Sequence, residues 1–149
     1  MNLIQSLKQG ALSDEQKLHR ILDRRENVLE NKAKLSHAEE SWNVAIEDGV
    51  VDTQEQNQLR KAFQNAGLGD LAKRLAGKAP MNGDALDKLG SKVDRGINKK
   101  RQNLDQAGDK DRLEGNLLMN EIQLQYKTAA DVLKTKHQTY KSVIDNLKA

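Results

Sequence analysis

The sequence predicts an all-α protein, an elongated helical hairpin or coiled coil with short helices at the turn end. Three observations predict it. The 149-residue chain has a single proline, Pro80, and is rich in Leu, Ala, Lys, Glu, Gln and Asp, which suit long unbroken helices. Only 36% of its residues are hydrophobic and 3% aromatic, while 32% are charged, a balance better matched to thin helical packing than to a thick layered core. Apolar residues also recur at helical spacing along both halves of the chain. At this length one domain spanning 1–149 is expected.

The first long helix is expected over 12–46. Ser13 opens "SDEQ", a hydroxyl with a glutamine three places on and acids in the first turn, which reads as a capping box. Apolar residues follow as Leu18, Ile21, Leu22, Val28, Leu29, Leu35, Ala38, Trp42 and Ala45. The heptad step through Ile21, Val28, Leu35 and Trp42 marks one buried stripe, with Trp42 as a core anchor.

The helix ends in "AIEDGVVDTQEQ", residues 45 to 56, which looks like the second half of a calcium-binding loop. Asp48, Gly49, Asp52 and Glu55 fit that pattern. The two leading positions, which normally supply carboxylates, fall on Val44 and Ile46, and a hard cation gains nothing from aliphatic side chains. The expectation is therefore punctuation without a metal: Gly49 stops one helix in a left-handed conformation, Asp52 caps the next, and Glu55 completes a reciprocal cap.

Short helices and turns fill 52–83. One helix is expected over 53 to 65, with Leu59, Ala62 and Phe63 inward, and a shorter one around 69 to 76, before Pro80 and "NGD" turn the chain. The glycines of "GLGD" do not make a phosphate loop, because no strand precedes them and no GK[ST] ending follows.

Asp84 is expected to cap a helical region running over 84–148, loosened near "QAGDKD" at 106 to 111. Its end carries the strongest regularity of the chain. Met119, Ile122, Tyr126, Ala129, Leu133, Lys136, Tyr140, Val143 and Leu147 alternate at spacings of three and four, a heptad seam over 119–147 interrupted only by Lys136. Leu118, Val132 and Ile144 widen it. The two long elements should pair antiparallel, and the wide stripe predicts a second copy or a partner helix; a monomeric bundle closed by the middle helices is the competing arrangement.

No catalytic constellation is legible. His19, His37 and His137 stand without a cysteine neighbour, an HExxH pattern or a nucleophile, and His19 with Asp23 gives only two ligands at helical spacing. Adjacent acids such as Glu39 and Glu40 point in different directions on a helix. With no cysteine, thiol chemistry is excluded. Neither an enzyme nor a resident cofactor or metal is expected.

The net charge of +3 comes from 25 bases and 22 acids mixed along the chain, weak grounds for nucleic acid. The basic run "NKKR" at 98 to 101 lies among Asp94, Asp105, Asp109 and Asp111 with no aromatic nearby, and reads as a solvated helix face. The opening residues lack the apolar run of a cleaved secretory signal, and no apolar stretch is long enough to span a membrane.

Residues 117 to 147, "LLMNEIQLQYKTAADVLKTKHQTYKSVIDNL", resemble the C-terminal helix of the extracellular filament and needle-tip proteins of bacterial type III secretion systems, and rod-like components of that apparatus end similarly. The matching residues are Leu118, Gln125, Tyr126, Ala129, Leu133, Ser142, Val143 and Ile144. The upstream order is also similar, with "LDKLGSKVDRGINKKRQNLDQ" leading into the last helix. The resemblance implies a non-enzymatic structural subunit, secreted or at the cell surface without signal cleavage. Its terminal helix would pack against copies of itself or another helical secretion protein, with a cytosolic chaperone covering that helix before export. The alternative is a cytoplasmic helical adaptor or secretion chaperone that binds a partner's helix.

Overall fold

The computed structural model describes residues 2–75, 77 and 79–148, and these residues form an all-α protein. Helix α1 spans Leu3–Ala45, α2 Thr53–Asn65, α3 Gly69–Arg74 and α4 Gly83–Lys148; strands β1, Val50–Val51, and β2, Met81–Asn82, form a two-residue antiparallel ribbon. The end of the 69 to 76 expectation, Ala76, lies outside the described residues.

Helix α1 begins well before Ser13. Asn2 supplies the cap: its Oδ1 accepts from the Gln5 amide at 2.8 Å, while Gln5 Oε1 accepts from the Asn2 amide at 3.4 Å. Asparagine is as good a cap as serine, so "NLIQ" closes the orphan donors first and "SDEQ" is left inside the helix, with Ser13 exposed and Asp14 buried.

By its contacts the chain divides into two compact units, Glu26–Asp109 and Met1–Arg25 with Lys110–Ala149. The first unit holds the main apolar core. Leu35, Ala38 and Trp42 of α1, Leu59 and Phe63 of α2, Leu71 and Ala72 of α3, and Leu86, Leu89, Val93, Ile97 and Leu104 of α4 are all buried. Each large aliphatic or aromatic side chain removed from water this way contributes about 1.5–3 kcal/mol. Trp42 packs on Phe63 with ring centroids 6.3 Å apart and lies over Gly90, the anchor its heptad position predicts. Leu29, one residue off that stripe, stays 65% exposed because a single helical step turns it away by about 100°.

In this unit the two long helices run antiparallel: Val28 meets Gly108, Lys32 pairs with Asp105 at 2.7 Å, Glu39 pairs with Arg101, and Trp42 faces Gly90. Helix α4 continues without a break through 106 to 111. Gly108 faces Val28 within the unbroken helix, at a distance that an added Cβ would meet as ordinary contact, so the glycine neither loosens the helix, against the expectation, nor is required by the packing.

The connection between α1 and α2 follows the capping expectation. Gly49 adopts φ +76, Asp52 Oδ1 accepts from the Glu55 amide at 2.7 Å, and the Glu55 carboxylate accepts in return from the Asp52 amide. Helix α2 ends in a Schellman motif: the Leu68 amide donates to the Phe63 carbonyl, the Gly67 amide donates to that of Gln64, and Gly67 takes φ +76. Buried Gln56 ties the segment together, its amide donating to the Val51 and Ala79 carbonyls while its Oε1 accepts from Gly77. The ribbon itself was not expected, since two residues per strand are too few to show alternation.

Candidate interaction surface

The second unit pairs the start of α1 with the end of α4. Gly10 lies against Gln125, Leu18 and Ile21 against Gly115, and Arg24 bridges to Asp111 and Glu114, each at 3.2 Å. Tyr126 donates its hydroxyl to Glu15 Oε1 at 3.1 Å, and Gln125 Nε2 donates to Asp14 Oδ2 at 3.4 Å. Few apolar side chains are fully buried here, namely Ala11, Ile21 and Ala129 among the described residues.

The face of α4 turned to α1 consists of Asp111, Gly115, Leu118, Ile122, Gln125, Ala129 and Val132, all buried or half-buried. These positions also alternate at three and four, but only Ile122 and Ala129 belong to the expected seam. Met119, Tyr126 and Leu133 each stand one residue beyond a packed position and are 47%, 41% and 48% exposed. Apolar counting does not find this α1-facing stripe, because aspartate, glycine and glutamine occupy three of its heptad positions. The signal lies in the buried and half-buried small and polar residues themselves, with Gly115 set against Leu18 and Ile21 at ordinary contact distance.

Past Val132 every described α4 side chain is exposed. Lys136 is among them. Tyr140 is 60% exposed, Val143 51%, Ile144 52% and Leu147 81%. The heptad positions flanking this ridge carry no formal charge, being Gln125, Ala130, Val132, His137, Thr139, Ile144 and Asn146, while Lys127, Asp131, Lys134, Lys141 and Asp145 lie further round the helix. A charge-poor face of that width suits contact with other helices.

The three histidines are exposed on α1 and α4, and no group of three potential metal-ligating side chains occurs among the described residues. Glu55 has its pKa raised, first by desolvation and then by the neighbouring Asp52 carboxylate. No described helix is long and apolar enough to cross a membrane. The chain matches no protein-family model, no curated protein and no solved structure.

Proposed function

We propose that this chain is a non-enzymatic assembly protein whose working surface is the exposed ridge of α4 from Leu133 to Leu147. The observation that carries the reading is the exposure of Leu133, Tyr140, Val143, Ile144 and Leu147 along one helical stripe. Apolar side chains repeated in that order gain by leaving water, and an unbroken helix presents them to another helix in knobs-into-holes register. The resemblance of residues 117 to 147 to terminal helices of secretion filaments supports a more specific form: a type III secretion filament, tip or rod-like subunit, exported without signal cleavage and guarded by a chaperone beforehand.

The test is sedimentation velocity across a concentration series on the full chain and on the double variant Leu133→Asp, Val143→Asp. The expected result is concentration-dependent association that the variant abolishes. An unchanged sedimentation profile in the variant, or a solitary particle at every concentration together with no capture of a helical secretion partner, would remove the proposal.

A further inference from the structure

The structure places five cations around one groove in the Glu26–Asp109 unit, a grouping that the order of the sequence conceals. The groove, about 510 Å³, lies between the Gly67–Arg74 segment and the stretch of α4 from Lys92 to Asn103. Arg74, Lys92, Arg95, Lys99 and Lys100 line it with a single acid, Asp70. Their surplus exceeds the +3 of the entire chain, so positive charge is concentrated here while the remainder is close to balance. Asp94, which adjoins Arg95 in sequence, and Asp105, a little more than a turn beyond Lys100, do not line it.

None of the five forms an ion pair among the described residues, whereas Arg24, Lys32 and Arg101 each bridge to an acid across the helix pair. Lys100 lies beside Gly67 at the C-terminal end of α2, where the helix dipole favours a cation. Arg95 uses Nε to donate to the Ser91 carbonyl, and its terminal nitrogens have no acid partner among the described residues. Lys92, Arg95 and Lys99 recur at helical spacing, so their like charges repel, and no ion pair among the described residues offsets that repulsion. The close approach of Leu71 to Gly96, where an added Cβ would stand 2.9 Å from Leu71 Cδ1, seats α3 on α4 and brings Arg74 to the opposite wall.

We propose that this groove binds a small ligand bearing clustered phosphate groups, as a free polyphosphate or as a phosphorylated lipid headgroup. Lysines act on phosphate as mobile point charges and arginines as two-pronged donors, and four or five such groups on two walls match several closely spaced anionic oxygens. The volume falls in the range of small-molecule sites, about 300–1,000 Å³. Among the described residues no aromatic side chain lines the groove to stack a base, so recognition rests on phosphate. The site is independent of the α4 ridge, and either assignment can fail without the other.

The test is isothermal titration of the full chain with sodium tripolyphosphate at two salt concentrations, with flotation of phosphatidylcholine vesicles with and without phosphatidylinositol bisphosphate. The variants are Arg95→Gln with Lys99→Gln on one wall, Arg74→Gln on the other, and Lys8→Gln with Lys127→Gln as a charge-matched control, all checked for helicity. Saturable binding is expected, weaker at higher salt, falling at least ~10-fold in the groove variants and staying within ~2-fold in the control. Binding of free tripolyphosphate identifies a soluble ligand; flotation alone, lost in the same variants, identifies a headgroup. Absence of both, or equal loss in the control, overturns the site. Tighter binding of a DNA duplex than of either probe, lost in the groove variants, overturns the small-ligand assignment in favour of a nucleic-acid backbone.

Discussion

The hydroxyl of Tyr126 donates to the Glu15 carboxylate at 3.1 Å, linking the exposed flank of α4 to α1. That bond, followed by desolvation and the negative charge of Glu15, raises the phenol's pKa above its ordinary value near 10.0. The folded chain therefore keeps a proton that the unfolded chain surrenders first. The contribution to stability is complete below pH ~10 and is lost as pH climbs through the folded value. Tyr126→Phe lacks this dependence, so the gap in unfolding midpoint between the parent and the variant should narrow above pH ~10. A constant gap across that range would contradict the assignment.

Gln56 is the polar centre of the segment between α2 and β2. It is 2% exposed, and its side chain satisfies the buried Val51 carbonyl together with the part-buried Ala79 carbonyl and Gly77 amide. Replacing it with leucine keeps the volume and strips all three partners. Gln56→Leu should cost about 1–3 kcal/mol in urea unfolding, because the stranded Val51 carbonyl outweighs the added apolar burial. A loss below about 0.5 kcal/mol would mean that water reaches these groups.

Asp52 and Glu55 are engaged with each other's backbone amides. Asp52→Ala should lower stability by about 1 kcal/mol, the usual worth of such a cap. Millimolar calcium should leave the melting temperature of the parent chain unchanged, since the carboxylates of this turn serve the helix start and Val44 and Ile46 offer no oxygen from their side chains. A rise of several degrees on adding calcium would show that a metal competes successfully with the cap.

The fold was legible where local chemistry and periodicity agreed. The stripe of Ile21, Val28, Leu35 and Trp42, the bounds of α2, and the Gly49 and Asp52 punctuation could all be read from neighbouring residues. Besides the two-residue ribbon and the unbroken stretch at 106 to 111, three features were not legible, each for a physical reason. The start of α1 depended on which of two caps wins, and Asn2 with Gln5 closes the helix further out than Ser13. The face that α4 turns to α1 is carried by Gly115, Gln125 and Asp111, which no apolar count detects. The basic groove needs Arg74 brought opposite Lys92, Arg95 and Lys99, and helical rotation then separates those bases from the acids beside them in sequence. Only the third dimension shows that the charges are unmatched.

Two residues one turn apart on α4 give the sharpest contrast. Ala129 is 3% exposed against α1, whereas Leu133, four residues on, is 48% exposed. An aspartate at Ala129 would have to bury an unpaired carboxylate or part the helices, so Ala129→Asp should cost more than about 2 kcal/mol. Leu133→Asp should change stability by no more than about 1 kcal/mol, most of it helix propensity, when measured at the lowest workable protein concentration. If Leu133 works by contacting another helix, its variant should lose the concentration dependence of the melting temperature that mass action gives an associating protein. Ala129→Asp, at temperatures where it stays folded, should retain that dependence. The reverse pattern would place the working face of α4 against α1 and leave the ridge without a role.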